Sequence, residues 1–359
     1  MDLEYRSFRD IDLNDVFFNS LRESYEGFDE WYKRKAQEGA KALTYIESEE
    51  LKDFLYLKRE DEEVTDTIPP LPPMRRLKIG TFKIDNRGTK RGERFIKKIL
   101  DQAIVDNIEE VYVTIFPEDR LLPLINMFKT YGFVKKAIKK HPDGRYEEVY
   151  IREMNKHSDD LLLDYPYVHC NKGDQYILSI YPKFHTLMFP DSKLDTENEF
   201  DVINDISETN SIHKIYICWM RDVWKLKKND KLVIYRTSDI PGRALYRSVA
   251  TSVCTVLEVK TYGDFDSEEE FLKYMKSYSV FTEADLRYWY NKKSNFTVIK
   301  MLYNIAFRHR IIMKELVERA GIDRNIYWGF RQLDNKQFNS ILKLGKVDER
   351  YISNYSAPL

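Results

Sequence analysis

Hydrophobic and polar positions along residues 3–152 fall in an order that predicts a mixed α+β domain. Residues 3–8 read as a first strand. Asn14 or Asp15 then offers a helix cap, and Val16, Phe17, Leu21, Tyr25, Phe28, Trp31 and Tyr32 mark the apolar side of a helical region that Gly39 ends. Residues 42–46 and 51–58 read as two strands joined by the acidic turn Glu47-Ser48-Glu49-Glu50. Leu77, Ile79 and Ile84 mark a further strand. After it Phe95, Ile96, Ile99, Leu100, Ala103 and Ile104 recur at helical spacing. A strand over 109–116, a helix over 118–133 and two strands flanking the turn His141-Pro142-Asp143-Gly144 complete this part. Residues 60–73 are acidic and then proline-rich, which predicts a surface loop stiffened as polyproline II, with a flap beside a cleft as the alternative.

The polar stretch 155–160 lacks periodicity and sets the expected domains at 1–158 and 159–359. Beyond it, 176–181, 215–219, 227–236, 250–259 and 297–306 read as strands, and 267–277, 311–320 and 334–344 as helices. An acidic linker spans 191–210. Short strands with few helices predict a small β-barrel carrying helices. No repeat with a period of about 20–50 residues is visible.

Composition narrows the function classes. At 359 residues, with 43% hydrophobic and 14% aromatic content, the chain has material for two real cores. Its 58 Lys and Arg nearly balance 59 Asp and Glu, so a nucleic-acid surface would have to be a local patch. Cys170, Cys218 and Cys254 are far apart, which excludes a C-x-x-C zinc site or a disulfide framework and fits a reducing cytoplasm. The six histidines show no metal-site spacing, so no metal is expected. The first ten residues are charged, and no apolar run approaches ~18 residues. A soluble cytoplasmic protein without a membrane partner is the expectation.

The chemistry concentrates in Asn86-Arg87-Gly88-Thr89-Lys90-Arg91-Gly92-Glu93, a basic glycine-bearing turn between strand and helix. Such a turn points backbone N–H groups and the positive end of a helix dipole at one place, which suits a pyrophosphate. Cations at a helix start oppose that dipole unless an anion is bound, which favours the anion reading of Lys90 and Arg91. The turn is neither a Walker loop nor a G-x-G-x-x-G fingerprint.

The strand, turn, helix, strand, helix order over residues 3–154 resembles the GNAT N-acetyltransferase family, whose R/Q-x-x-G-x-G/A turn holds acetyl-CoA. Arg87, Gly88 and Gly92 match, Lys90 stands at the usual middle glycine, and Leu124-Ile125-Asn126-Met127-Phe128-Lys129-Thr130-Tyr131-Gly132-Phe133 resembles the A-x-x-x-Y-x-x-x-G-F segment. The resemblance implies an acyl-CoA fold, a mixed central sheet flanked by helices, and direct transfer of acetyl to an amine. It implies that Phe82, Lys83 and Ile84 offer backbone groups to the pantetheine arm and oxyanion. It also implies that Arg87, Gly88, Thr89, Lys90, Arg91, Gly92 and Glu93 hold the pyrophosphate. Phe128 occupies the position of the family's thiolate-protonating tyrosine, so Tyr131 is the substitute considered as acid. Glu118, Asp119 and Asp85 are the candidates for a base. Trp31, Tyr32 and Tyr25 would line the substrate cleft or form the helix's own core.

Residues Lys228-Asn229-Asp230-Lys231-Leu232-Val233-Ile234-Tyr235-Arg236 resemble the G-D-x-x-x-F/Y-Y strand of the PUA-like superfamily of ASCH and EVE modules, with Asn229 where glycine is usual. That second resemblance implies a module for RNA or a modified nucleotide. Trp219, Trp224, Tyr235 and Arg236 are its candidate nucleic-acid contacts, by stacking and charge. The combined expectation is an acetyl-CoA-dependent N-acetyltransferase acting on a nucleic-acid-linked amine. The alternatives are a protein or small-amine acetyltransferase whose second module binds a partner protein, and a non-catalytic acyl-CoA sensor.

Overall fold

The computed structural model describes residues 3–85, 90–192, 210–276, 278–292 and 295–353. It divides into two compact units, Met1–Lys156 and His157–Leu359.

In the first unit the chain runs β1 (Glu4–Ser7), α1 (Asn19–Ser24), α2 (Phe28–Gln37), β2 (Lys41–Glu47), β3 (Glu50–Glu60), β4 (Arg76–Ile84), α3 (Arg91–Val105), β5 (Glu110–Ile115), α4 (Leu122–Thr130), β6 (Val134–Lys140) and β7 (Tyr146–Glu153). The strands form a mixed sheet in the order β1-β2-β3-β4-β5-β7-β6, with β4 parallel to β5 and the other pairs antiparallel. The helical region expected as one piece is two helices, because Gly27 at φ +76° breaks it in a backbone region that costs glycine little. Asp15 does cap, but it caps a 3-10 turn, accepting from Phe17 N at 2.8 Å. The acidic β2–β3 turn places Ser48 and Glu49 at φ +50° and +67°, both positive as in a tight two-residue hairpin.

Each face of the sheet carries helices. Phe54 and Tyr56 of β3 pack with Phe8, Phe18 and Tyr32 under α1 and α2. On the other face Phe82 of β4 meets Phe95 of α3 and Phe128 of α4 edge-on, at 5.3 and 5.5 Å. The proline-rich loop is no free strap. Val64 bridges Leu71, Ile68 bridges Ile138 of β6, and Leu71 is buried with Tyr112, Ala137, Val149 and Ile151. Burial of that apolar face holds the loop against the sheet.

The second unit contains β8 (Val168–His169), β9 (Gln175–Ile180), α5 (Pro182–Met188), β10 (His213–Cys218), β11 (Lys231–Arg236), α6 (Ala244–Arg247), β12 (Val249–Thr261), α7 (Glu268–Lys276), α8 (Glu283–Asn291), β13 (Thr297–Ile312), α9 (Met313–Glu318), β14 (Phe330–Leu333), α10 (Asn335–Leu344) and β15 (Ile352–Ser353). Its main sheet has the order β10-β13-β12-β11-β9-β14, and β15 pairs β8 separately. Three register shifts interrupt the β12–β13 ladder, the device that bends long strands. Among the described residues β10 pairs only β13, and the four-residue β14 pairs only β9. The expected barrel is therefore corrected to an open α+β sheet: bending alone does not close it without a pairing between its two edges. Phe271, Met275 and Leu286 of α7 and α8 are buried in its core.

Candidate active site

Two central strands that run together and then part create the cleft of the first unit. β4 and β5 pair only from Arg76–Ile79 against Glu110–Val113, although β4 continues to Ile84 and β5 to Ile115. The parting coincides with a bulge. Opposite β3, Tyr56 faces Thr81 and Leu57 faces Ile79, so Gly80 has no partner. A Cβ on Gly80 would lie 2.7 Å from the Tyr56 ring, which explains glycine there. Asp85 N–H donates to Lys52 O at 2.9 Å and sets the phase of the antiparallel ladder. By its alternation Thr81 and Lys83 bond toward β3, and the backbone groups of Phe82 and Ile84 turn to the open side. The cleft holds about 520 Å³ and takes its walls from the α1–α2 region, β3, β4, β5 and the β6–β7 hairpin.

At the end of β4, the expected pyrophosphate turn is described only from Lys90 onward; Arg87, Gly88 and Thr89 lie outside the described residues. Lys90 is the N-cap of α3 at φ +53°, and an ammonium cannot accept from the helix N–H groups. Glu93 N–H donates to Lys90 O at 3.0 Å, so that amide is engaged within the turn. Gly92 is a packing glycine: a Cβ would come 3.0 Å from Met127 Sδ of α4. Arg91 is 3% exposed and pairs with the fully buried Asp53 of β3 at 2.6 Å, while its guanidinium lies 4.6 Å from the Tyr45 ring centre. Its guanidinium is held at the α3–β3 junction, while its backbone begins α3. Asp53 carried no signal for this in the sequence.

Phe82 and Lys83 line the cleft. Ile84 faces α4's side of the sheet, its Cδ1 3.6 Å from where a Gly92 Cβ would stand. Phe128 is fully buried between Phe82 and Phe133. Tyr131 is 2% exposed at the C-cap of α4, where its carbonyl accepts from Arg152. It is absent from the cleft walls, so the expected acid is corrected: the chain turns its ring into the core beside the helix end. Asp85 is exposed at the tip of β4, and Glu118 is ion-paired with Arg120.

The polar centre of the cleft is instead a cluster that the sequence reading missed. Glu147 of β7, 2% exposed, accepts from Tyr25 Oη at 2.8 Å and from Thr114 Oγ1 at 3.1 Å, and its second oxygen lies 3.1 Å from His141 Nε2. Burial first, then the Glu147 charge and hydrogen bond, push the Tyr25 phenol far above its ordinary range, so it stays protonated and donates. A buried carboxylate held by a phenol, a hydroxyl and an imidazole can take a proton from an amine and pass it on. One signal was available: Glu147 is in phase with Val149 and Ile151 on the buried side of β7.

In the second unit Trp219 and Trp224 are 44% and 60% exposed, whereas Tyr235 and Arg236 are 2% and 5% exposed and lie inside. Trp219 packs edge-on to Trp289 at 5.6 Å, and Tyr235 tilts against Trp328 at 5.2 Å. Trp224, Tyr176, Lys225 and Lys227 border a hollow of about 400 Å³. Asn229, at the position where glycine was anticipated, has φ +76°, a conformation asparagine tolerates better than most residues. Asp230 ties the loop by accepting from Asp174 N and Lys227 N, each at 2.8 Å. Among the described residues no group of His, Cys, Asp and Glu could hold a metal, and no helix is long and apolar enough to cross a membrane.

No protein-family model and no curated protein sequence matches the chain. Solved structures similar to it are of two kinds. The ASCH protein from Zymomonas mobilis is 10% identical over 48% of this chain and 95% of its own, with a TM-score of 0.33. The ribosomal-protein-S18-alanine N-acetyltransferase from Escherichia coli is 10% identical over 45% of this chain and 99% of its own, with a TM-score of 0.33. A GNAT family acetyltransferase from Elizabethkingia anophelis with acetyl-CoA bound is 10% identical over 42% of this chain and 97% of its own, with a TM-score of 0.30.

Proposed function

We propose that the first unit is an acyl-CoA-dependent N-acetyltransferase that moves an acetyl group directly to an amine. The observation that supports it most is the parting of β4 from β5, with the backbone of Phe82 and Ile84 facing the gap. An extended pantetheine arm can pair with those groups as a missing strand would. The start of α3, capped by a lysine that cannot serve its N–H groups, suits the diphosphate, with Lys90 beside it.

The thioester supplies the acyl carbon. Glu147 receives the ammonium proton through hydrogen-bond contact or one water, so the amine nitrogen can attack. A β4 amide, from Phe82 or Ile84, faces the developing oxyanion. The N–C bond forms and the C–S bond breaks; Tyr25 gives its proton to the leaving thiolate and regains one from Glu147, and the nitrogen's second proton leaves to solvent. Tyr25 thus stands in for the acid missing at Phe128.

The second unit is by this proposal a PUA-like module of the ASCH kind that presents a nucleic-acid-linked amine, with Trp219 and Trp224 as its stacking surface. Labelled acetyl-CoA incubated with the full chain and a mixed RNA and protein extract tests both halves. Label in RNA supports the whole reading. Label in protein or small amines alone favours the first unit acting without an RNA substrate. Binding of acetyl-CoA without transfer to any acceptor favours a sensor, the reading to which the buried Phe128 lends weight.

A further inference from the structure

Seven lysines and arginines against three glutamates line the cleft, in a chain of net charge −1. Most of these cations are neutralised locally. Lys58 pairs with Glu60 at 2.6 Å, Lys139 with Asp66 at 2.7 Å, Lys35 with Glu38 at 2.5 Å, and Arg120 with Glu118. Lys83 is held by Phe17 O and by Ser20 Oγ at 2.8 Å.

Lys78 differs. The two acids nearest to it electrostatically, Glu60 and Asp66, are those already taken by Lys58 and Lys139. Glu60 also accepts from the Tyr112 phenol. The described contact of the Lys78 ammonium is the Tyr112 ring, 5.4 Å away, and no described carboxylate lies within ion-pair distance. The Gly80 bulge accounts for where it points. Lys78, Thr81 and Lys83 face Lys58, Tyr56 and Phe54, three alternate residues of β3, so all lie on the α1–α2 face. Lys78 and Lys83 are five positions apart, so strict alternation would put them on opposite faces; the bulge brings them to the same one. Burial lowers the affinity of the Lys78 amine for its proton.

We infer that the acceptor of this cleft carries an anionic group, carboxylate or phosphate, that docks on Lys78 on the α1–α2 side of the sheet. The inference rests on the acetyltransferase reading only for the acceptor being an amine. A charge-assisted contact to a partly desolvated ammonium discriminates strongly against a neutral analogue, because the ammonium is otherwise left unpaired.

Ethanolamine, β-alanine and O-phosphoethanolamine differ in one terminal group and serve as probes. Their binding to the full chain is measured by ligand-observed NMR, and their acetylation by initial rates with acetyl-CoA. We expect at least one anionic probe to bind about tenfold more tightly than ethanolamine. Lys78→Met should bring that ratio near one, and Lys78→Arg should keep most of it. The anionic probe that loses more affinity in Lys78→Met identifies carboxylate or phosphate as the preferred group. Equal or tighter binding of ethanolamine overturns the inference, as does an anion preference that survives in a folded Lys78→Met protein. Anion preference without acetyl-CoA binding or transfer would defeat the acetyltransferase reading and leave the Lys78 site standing. Efficient transfer to neutral amines alone would do the reverse.

Discussion

In the proposed mechanism Glu147 is the base. Its carboxylate is buried and receives two donors, with His141 on the other oxygen. Glu147→Gln keeps the shape and removes the base, so kcat should fall by roughly 10²–10⁴ while acetyl-CoA affinity holds. Tyr25→Phe should lower kcat by less, and steady-state rates with the preferred amine check both. A second residue-scale expectation concerns stability. His185 is fully buried beside Thr251 Oγ1 at 2.8 Å, and burial, then Arg236 and Arg310, pull its pKa down to about 3. The unfolded imidazole takes a proton near pH 6.5 while the folded one does not. This contribution is therefore complete above about pH 6.5 and lost as pH falls toward about 3, at roughly 1.4 kcal/mol per pH unit. Denaturant unfolding at pH 6.5 and 5 should show about 2 kcal/mol of that loss in the native chain and a smaller one in His185→Gln. An equal loss in both would remove the claim.

At the scale of elements, the junction of α3 with β3 decides whether the cleft has an end wall. The Asp53–Arg91 pair is almost completely buried where α3 begins. Asp53→Asn leaves a guanidinium inside without its counter-charge, a change that costs about 3–5 kcal/mol at buried pairs. Thermal unfolding should show that loss, and acetyl-CoA affinity should fall with it because the helix start is no longer anchored. Unchanged stability would mean the pair is dispensable. Much of this element scale was legible in the sequence, because α3 and β5 carry clean periods of 3.6 and two, and β4 carries an apolar run whose phase shifts only at the Gly80 bulge. Asp53–Arg91 was not, since a pair 38 positions apart leaves no local pattern. The same holds for the cleft cluster proposed to act, which draws Tyr25, Thr114, His141 and Glu147 from four separate segments. His141 read only as part of a turn, and Tyr131 was favoured by a position in a motif whose ring the fold turns inward.

The molecule as a whole joins a cleft-bearing unit to one that exposes two tryptophans, Trp219 and Trp224, in the segment after β10. The barrel expectation failed because strand count and turn chemistry do not encode which edges meet; closure depends on long-range register. The departure at Asn229 proved harmless to the fold, since its φ of +76° is what a glycine there would have supplied. Amide hydrogen exchange of the full chain with and without acetyl-CoA tests the central claim most directly. The account predicts slowed exchange confined to the end of β4, at Phe82 and Ile84, and to the first turn of α3. Unchanged exchange there at saturating acetyl-CoA, or protection only elsewhere, would contradict it.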